Sequence, residues 1–413
     1  MQKLLKKTSF LSLLLILVLL VIACSANKKT NTSSNNSGNT NNGFQGNVII
    51  VGAGASGLAA ANKLEERGVS YQILEATDKF GGRIQKNESF ADFPIDLGAE
   101  WIHEDKSILN YLINQSGNEP NVETILYQPM NIKRVIGDVT SQIPNQEMED
   151  YYADYMKEYK FKSTTWYDFI NTNFVQNVAQ NVIYNSIVKT IDYTGDKVIL
   201  TTENGAEYEA DKVILTVSVG VLKSNTITFI PALPAKKNTA IQNVDFLPGF
   251  KLFMKFSDQF YPDVITCETS SGEKTYYDIA YGKGSEDHVL GLLSTGISAE
   301  EYYSLGSSDS IVASVIEELD GYFDGLASEN YLGSYIYKDW GQQTFTQGTW
   351  TTDFENSSKK LNASLDDKVY FAGETYNTDY KIKGFNIIRG SVQSAILSGY
   401  EAVDKILWPK PWK

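Results

Sequence analysis

Hydrophobic and polar residues follow a clear helical period near the C-terminus of the chain. The segment reads RGSVQSAILSGYEAVDKIL and runs from Arg389 to Leu407. Its apolar residues recur at helical spacing, and they are Val392, Ala395, Ile396, Tyr400, Val403, Ile406 and Leu407. The pattern predicts an amphipathic helix that starts near Gly390.

Shorter periods predict strands in the middle of the chain. Turn residues at 194–196 and 204–205 divide the segment 186–223 into several short strands. Strands of this length separated by such turns are typical of a small sheet.

The stretch GFKLFMKF, from Gly249 to Phe256, places two lysines in an apolar run. Alternation along a strand puts Lys251, Phe253 and Lys255 on one face. The other face is formed by Phe250, Leu252, Met254 and Phe256. Taken alone, the pattern favours one solvent-exposed face over a lysine held inside the protein for chemistry.

A strand, a glycine-rich turn, a helix and a second strand follow one another close to position 50. The strands are Val48–Val51 and Ser70–Leu74. Between them, Gly52, Gly54 and Gly57 have the spacing G-x-G-x-x-G. These glycines allow a tight turn, close approach of the backbone to a pyrophosphate, and close packing of the helix on the strand.

An acidic residue completes this unit. Glu75 ends the second strand about 20 residues after the glycine turn, where a carboxylate binds the ribose hydroxyls of an adenosine and disfavours a 2′-phosphate. The free N–H groups of the helix N-terminus face the phosphates. The order of these elements predicts a Rossmann-like dinucleotide site, with residues Gly52, Gly54, Ala55, Ser56, Gly57 and Glu75.

Composition narrows the possible functions. The 413 residues suffice for two domains, and the net charge of -14 without a basic stripe argues against nucleic acid as a partner. The chain has only two histidines, His103 and His288, which argues against a zinc site or a Ser-His-Asp triad. No metal is expected.

The N-terminus has the features of an export signal. Three lysines precede the apolar run 10–23, which is short for a membrane span. Its end, VIAC, resembles the lipobox of bacterial lipoproteins, which implies a lipid on Cys24. An uncleaved anchor or an ordinary secretory signal remains an alternative. The polar segment 25–46 is expected to be a disordered linker. Together, the signal and the linker predict a protein that is exported and lipid-anchored to a membrane outside the cytoplasm.

The segments that follow the dinucleotide motif resemble the flavin-containing amine oxidase family, the monoamine and polyamine oxidases. KFGGRI, at 79–84, is similar to that family's sequence after the ribose acid, and FPIDLGAEWIH, at 93–103, to its segment beside the isoalloxazine ring. The resemblance implies FAD as the cofactor, with contacts from Gly81, Gly82, Arg83, Gly98, Ala99, Glu100 and Trp101.

Later segments agree with the family in order. Val188 matches the residue whose backbone meets the adenine, and Gly373-Glu374 ends a strand similar to the family's last flavin-contacting strand. The resemblance also implies that Ser391 and Val392 lie at the N-terminus of a helix aimed at the flavin. The dipole of that helix would favour the reduced, negatively charged cofactor.

The resemblance further implies which residues perform the chemistry. Lys251 matches the family's lysine, which is bonded through one water to the flavin nitrogen N5. The resemblance therefore favours a lysine held inside for chemistry at position 251, whereas Lys255 keeps the solvent-exposed interpretation. Trp350 matches an aromatic cage residue. The second cage residue is less well determined, since counting back from Gly390 gives Ile387 and the glycine–aromatic pair gives Phe385, which we select.

Two positions depart from the family. Thr349 stands where some members have the cysteine that bonds to flavin, so noncovalent FAD is expected. The segment between His103 and Ser186 is shorter than usual and holds the helices that roof the substrate cavity in the family. Either this cavity is unusually open or another chain covers it.

These observations predict an α/β fold. A discontinuous Rossmann-like FAD-binding domain with a parallel sheet is expected at 47–105, 185–235 and 363–413. A smaller α+β substrate domain is expected at 106–184 and 236–362.

The implied reaction is oxidation of a primary or secondary amine, with O2 reduced to H2O2. An L-amino acid oxidase-like or desaturase-like flavoenzyme is one alternative, and a noncatalytic FAD-binding surface lipoprotein is the other. Arg389 is the candidate partner for an amino acid carboxylate.

Overall fold

The computed structural model describes residues 44–113, 121–154, 157–351, 358–376, 381–382 and 384–409. The predicted export signal with Cys24, and residues 25–43 of the predicted linker, lie outside the described residues. Among the residues described, no helix is both long enough and apolar enough to cross a bilayer.

A five-stranded sheet with parallel pairings forms the centre of the first domain. Its strands are β1 Asn47–Val51, β2 Ser70–Leu74, β10 Val182–Ile183, β14 Lys212–Leu215 and β21 Val369–Phe371, in the order β10-β2-β1-β14-β21. Val48 and Ile50 face one core, and Ile49 and Val51 face a second core. Burial on both faces explains why β1 is a continuous apolar run.

Two helices cover one face of this parallel sheet. They are α1 Ala55–Glu66 and α11 Val392–Leu407, and they pack directly on each other. At Gly399 a Cβ would stand 2.2 Å from Ser56 O, so glycine is what permits the close approach. Ser391 caps α11 by accepting a hydrogen bond from Ser394 N, which confirms a helix start just after Gly390.

A smaller sheet and two helices cover the other face. The strands are β11 Val188–Asp192, β12 Val198–Thr202, β13 Glu207–Ala210 and β15 Thr228–Ile230, and the helices are α5 Val219–Lys223 and α6 Ala235–Gln242. The turns predicted within 186–223 separate β11 from β12 and β12 from β13.

The second domain is built on a seven-stranded sheet with the order β20-β16-β19-β18-β17-β7-β8. Its strands are β7 Ile132–Ile136, β8 Val139–Gln142, β16 Gly249–Phe256, β17 Val264–Cys267, β18 Lys274–Asp278, β19 His288–Thr295 and β20 Tyr331–Asp339. The helices of this domain are α7 Ile297–Tyr303, α8 Ser308–Phe323 and α9 Leu326–Asn330.

The central strand β16 separates two environments. Phe250, Leu252, Met254 and Phe256 share a core with α8, whereas Phe253 belongs to a second core on the opposite face with Tyr277 and Leu293. The predicted alternation is therefore confirmed. Both faces are covered, since every residue of β16 is buried except Lys255, which is half-buried.

The polar segment 104–185 forms small elements over the cavity and part of the first core. Strands β6 Thr124–Leu126 and β9 Glu158–Phe161 form a three-stranded sheet with β5 Ile102–His103. Helix α2 Ile108–Leu112 lies between β5 and β6, helix α3 Asn145–Asp154 precedes β9, and helix α4 Trp166–Ile170 follows β9. A π-helix Asn171–Val175 and a 3-10 turn Ala179–Asn181 follow α4. The remaining elements are β3 Lys86–Asn87, β4 Ile95–Asp96, α10 Ser358–Leu361, β22 Lys381–Ile382 and β23 Phe385–Asn386.

The packing of this segment differs from the predicted domain boundaries. We expected all of 106–184 in the substrate domain, yet Leu109, Trp166, Phe169 and Phe174 pack in the same core as α1 and α11. In addition, β10 pairs with β2 of the parallel sheet. Only the part of the segment around β7, β8 and α3 lies with the second domain, because its apolar residues find partners there.

Candidate active site

One cavity of about 910 Å³ connects the glycine turn of the parallel sheet with the seven-stranded sheet. It is lined by Glu75 and Val188 on the side of the first domain and by Lys251 and Tyr277 on the side of the second. Every residue predicted to bind a cofactor or act in catalysis lines it, except Gly57 and Phe385.

The glycine turn leaves room and donors for a ligand. A Cβ at Gly54 would meet no protein atom within 4 Å, although Gly54 lines the cavity, whereas a Cβ at Gly57 would lie 2.0 Å from Gly52 O. Gly57 therefore allows α1 to pack closely on the turn, and the missing side chain at Gly54 leaves space for a ligand. Ser56 Oγ is buried in the same turn and has no hydrogen-bond partner among the described residues, which fits a phosphate at this helix N-terminus.

Glu75 is held rigidly at the end of β2. Its Oε2 accepts a hydrogen bond from Ala53 N (2.7 Å), and its Oε1 accepts from Thr77 N (2.9 Å) and Thr77 Oγ1 (2.8 Å). The carboxylate still lines the cavity, and a carboxylate has further acceptor sites free for ribose hydroxyls.

Arg83 connects two of the predicted cofactor segments. Its guanidinium donates hydrogen bonds to Thr349 O and to Glu374 Oε1, the latter at 3.0 Å. The predicted cofactor residues Arg83 and Glu374 thus form an ion pair in the cavity wall, and Gly81 and Gly82 line the same cavity.

The middle of the cavity is bordered by backbone that only glycine allows. At Gly98 a Cβ would stand 1.8 Å from Arg83 O. Gly98 and Ala99 line the cavity, as do Ser391 and Val392 at the N-terminus of α11. A long cavity with an adenosine end, a phosphate turn and a glycine-lined segment beside a helix N-terminus fits FAD.

Beyond that segment, a buried carboxylate stands among three polar groups. Glu100 Oε2 lies 2.8 Å from Lys251 Nζ and accepts a hydrogen bond of 2.8 Å from the hydroxyl of Tyr277. Glu100 Oε1 lies 2.8 Å from Nζ of a second lysine, Lys160. Lys251 is 3% exposed and Lys160 is 1% exposed, so the solvent-exposed interpretation of Lys251 is wrong.

Electrostatics of this group follow from its burial. Burial by itself would raise the pKa of Glu100, but the ammonium groups of Lys160 and Lys251 outweigh it and hold that pKa well below its usual range. For Lys160, burial is the largest influence and lowers its pKa, although Glu100 acts in the opposite direction. Glu100 is therefore ionised at neutral pH.

Lys160 and Tyr277 were not among the predicted site residues. Lys160 lies on β9 in the polar segment 104–185, where charged residues are common and no hydrophobic period marks one of them as buried.

The second lysine on the same face of β16 as Lys251 is less buried than Lys251. Lys255 is half-buried and pairs with Asp287 at 2.7 Å, as expected for a lysine whose ammonium reaches solvent.

The aromatic walls only partly match the expectation. Trp350 lines the cavity and packs beside Tyr277 and Phe253. Phe385 does not line the cavity; its ring stacks on Tyr111, with the two ring centroids 5.8 Å apart. The structure thus does not place Phe385 as a second cage wall, because β23 turns it toward α2. The other aromatic residues that line the cavity with Trp350 include Trp101, Tyr127 and Tyr277, which contact one another.

Further acidic groups line the same cavity. Glu273 is half-buried and accepts a hydrogen bond of 3.0 Å from Thr275 Oγ1, while Glu268 is exposed. Burial raises the pKa of Glu273, and Thr275 and Lys251 oppose this shift. His103 and Glu158 also line the cavity, and His103 Nδ1 lies 2.8 Å from Glu158 Oε2. Burial lowers the pKa of His103, but the charge of Glu158 outweighs it and raises the pKa overall.

Part of the cavity wall is formed by the shortened segment itself. Ile143, Met148, Tyr151 and Tyr152 line the cavity, and Met148 packs with Ile143 at the start of the α3 region. The exposed Ile136 of β7 lies at its edge. Strand β7 and helix α3 therefore contribute part of the cavity wall from the shortened segment.

Comparison with known proteins identifies related sequences and folds. A sequence profile of the family described as flavin containing amine oxidoreductase matches residues 55–155 and 170–407. Probable polyamine oxidase 4 of Arabidopsis thaliana is 24% identical over 87% of this chain and 87% of that protein. Polyamine oxidase 4 of Oryza sativa subsp. japonica is 24% identical over 87% of this chain and 88% of its own length.

Solved structures show the same fold. A wild-type putrescine oxidase bound to putrescine has a TM-score of 0.69 at 15% identity, covering 88% of this chain and 99% of the other. A triple mutant of putrescine oxidase gives a TM-score of 0.71 at 16% identity, with the same coverage.

Proposed function

The chain belongs to the flavin containing amine oxidoreductase family and is an FAD-dependent amine oxidase, and from that premise we propose its reaction and substrate class. A primary or secondary amine, R–CH2–NH–R′, loses two electrons and two protons to become the imine, and O2 takes them up as H2O2. Water then hydrolyses the imine to an aldehyde and the smaller amine.

The observation that carries this proposal is the buried Lys251–Glu100 pair in the cavity that the glycine turn also lines. A lysine that reaches a cofactor cavity while buried holds its ammonium at one place, and it can bind a water or exchange a proton there. Bound FAD supplies the acceptor for the hydride equivalent that leaves the α-carbon of the amine.

The remaining side chains confine and shield the substrate. Trp350 and Tyr277 line the same cavity as Lys251, and such aromatic side chains exclude water and stabilise a cationic amine as it enters. Confinement between these rings also orients the α-carbon, which is the main contribution a protein makes to this type of transfer.

The substrate we propose is a diamine or polyamine. Two acidic side chains, Glu273 and Glu268, line the cavity away from the glycine turn and provide charge for a second ammonium group. Matched proteins named polyamine oxidase and putrescine oxidase support this class. An amino acid would instead bring a carboxylate next to these acids, which disfavours the amino acid oxidase alternative.

A peroxide screen tests the function. Purified protein should be yellow and should release free FAD on denaturation, because Thr349 occupies the position of the flavin-bonding cysteine. Peroxide release should then be strongest with diamines and polyamines, weaker with monoamines and absent with amino acids. FAD-loaded protein without turnover on any amine would support the noncatalytic alternative.

Glu273→Gln tests the substrate class separately. Loss of one ionic contact should raise KM for a diamine about tenfold, equivalent to about 1.4 kcal/mol, and leave KM for a matched monoamine unchanged. An equal change for both substrates would contradict a role for Glu273 in binding a second ammonium group.

We also propose that the protein is exported and anchored by lipid on Cys24, on the basis of the VIAC sequence. Expression in a bacterial host with labelled palmitate should label the wild type, and Cys24→Ser should abolish the label and leave the precursor uncleaved. Equal labelling of both proteins would contradict the proposal.

A further inference from the structure

One face of the seven-stranded sheet lines the cavity from strand β16 to strand β7. Neighbouring strands are paired so that one residue of each strand lies beside one residue of the next. These residues form a single row across five strands, and each of them lines the cavity: Lys251 on β16, Leu293 on β19, Thr275 on β18, Thr266 on β17 and Arg134 on β7. This cross-strand row therefore leads through the cavity, away from Lys251.

Two acidic side chains lie next to this row. Glu273 is two residues before Thr275 along the chain, and Glu268 is two residues after Thr266. Backbone hydrogen bonds continue the sheet at both acids, so each points to the same face as its neighbour in the row. Both acids line the cavity, and an amine that extends along the row from Lys251 therefore passes them.

Arg134 ends the cross-strand row. Its neighbour on the next strand, β8, is Ser141, which does not line the cavity. Four strand spacings, about 19 Å, separate the backbone of Arg134 from that of Lys251. Arg134 Nη2 lies 3.4 Å from Oε1 of Glu147 on α3, and its side chain is 28% exposed. A guanidinium group thus stands at the end of the cavity that is farthest from Lys251 along the sheet.

The charged residues beyond Lys251 follow one another in a fixed order. Glu273 stands beside β18, Glu268 beside β17 and Arg134 on β7, and each of these strands is one spacing of about 4.8 Å beyond the previous one. Glu147 balances Arg134 only in part, because that ion pair is partly exposed to solvent, where such pairs are weak. The wall therefore changes from acidic to basic at its end.

We propose that Arg134 is a specificity-determining residue that sets the upper length limit for a substrate with two charged ends. This inference rests on the proposed function, in which an amine is oxidised beside Lys251 and a second ammonium group binds an acid. A chain whose second ammonium reaches Glu273 or Glu268 gains an ion pair. A longer chain brings that ammonium against the guanidinium of Arg134, and such like charges repel each other.

Linear α,ω-diamines of increasing length test this proposal, from trimethylenediamine to dodecamethylenediamine. The value of kcat/KM for each diamine should be measured by peroxide release in the wild type, Arg134→Gln and Arg134→Lys. In the wild type, kcat/KM should fall for the longest diamines. Arg134→Gln should raise kcat/KM for these about tenfold and leave that for the short diamines unchanged. Arg134→Lys keeps the positive charge and should keep the length limit of the wild type.

Matched controls separate the effect of charge from those of chain length and of damage to β7. A linear monoamine of the same length has no second ammonium, so Arg134→Gln should leave its kcat/KM unchanged. Lys133 neighbours Arg134 on β7, but its Nζ lies 4.1 Å from the ring centroid of Phe323 and the residue does not line the cavity. Lys133→Gln should therefore keep the length profile of the wild type. If Arg134→Gln does not hold FAD, Arg134→Met provides the same comparison.

The proposal is overturned if Arg134→Gln has the length profile of the wild type, if Arg134→Lys loses the limit as well, or if long monoamines gain as much as long diamines. These outcomes require a protein that oxidises diamines, so they leave the proposed function intact. If no diamine is oxidised, the proposed function fails, and the rise in melting temperature of the FAD-loaded protein with each diamine decides the role of Arg134. A larger rise in Arg134→Gln with long diamines alone would support it, and equal rises in both proteins would overturn it.

Discussion

Glu100→Gln should destabilise the protein strongly, because it leaves two buried lysines without their carboxylate. Each Nζ lies 2.8 Å from Glu100, where an ion pair at an effective dielectric constant of about 20 is worth about 6 kcal/mol before desolvation. Removing one partner of a buried ion pair typically costs about 3–5 kcal/mol net of desolvation, so we expect a decrease of that size in the free energy of unfolding.

Lys160→Met should cost much less, because it leaves the pair of Glu100 and Lys251 complete. The variant loses contacts between the ammonium and aromatic rings, worth about 2 kcal/mol when desolvated. Introduced into Glu100→Gln, the same substitution removes a lysine that has no partner. The double variant should therefore be about 1–3 kcal/mol more stable than Glu100→Gln alone.

Urea unfolding followed by tryptophan fluorescence, at saturating FAD and about pH 7.5, measures all four corners of this cycle. The sign of the coupling is the decisive result. A double variant whose destabilisation is the sum of the two single effects would refute the view that Glu100 compensates both lysines.

Three further predictions concern two glycines that line the cavity, a buried lysine and a histidine. Gly98→Ala should lower the free energy of unfolding by about 3 kcal/mol and abolish FAD binding, because its Cβ would overlap a backbone carbonyl oxygen 1.8 Å away. Gly54→Ala should weaken FAD binding but leave the melting temperature of the FAD-free protein unchanged, because its Cβ would meet no protein atom within 4 Å. Lys237→Met should lower the free energy of unfolding by about 2–4 kcal/mol, with FAD content unchanged. The reason is that Lys237 Nζ donates to three backbone carbonyls at the C-terminal end of α10 and just after it. Glu158→Gln should lower the free energy of unfolding by about 1 kcal/mol at acidic pH, where His103 is charged. The pKa of His103 is raised in the folded protein by Glu158. The stabilisation from this ion pair is therefore complete below about pH 6.5 and disappears as pH rises through the pKa of His103 in the folded protein. A difference from the wild type that grows with pH in urea unfolding would contradict this assignment.

The sequence predicts the local geometry of the cofactor site well. The observed bounds of β2, Ser70–Leu74, equal those expected, and β1 starts one residue earlier at Asn47. These elements are determined by short-range signals, namely apolar runs, glycine spacing and a terminal acid. The start of α11 at Val392 follows in the same way from its helical period and its serine cap.

Residues that depend on long-range contacts were harder to find. The partner of Glu100 on β9 is 60 positions away, in a segment whose polar composition gives no sign of a buried lysine. The position of Phe385 depended on counting through a loop, and the structure turns that side chain toward Tyr111. The domain boundary at 106–184 failed for a related reason, since its aromatic residues pack against helices far away in sequence.

The most direct test of this account is anaerobic mixing of the FAD-loaded protein with a diamine, followed by absorbance. We predict loss of the oxidised flavin spectrum within seconds in the wild type, and formation of one H2O2 per flavin when O2 is readmitted. Lys251→Met should bind FAD normally and slow one of these two steps at least tenfold, equivalent to about 1.4 kcal/mol. A wild type whose flavin stays oxidised with every amine, or a Lys251→Met variant with unchanged rates, would contradict the account.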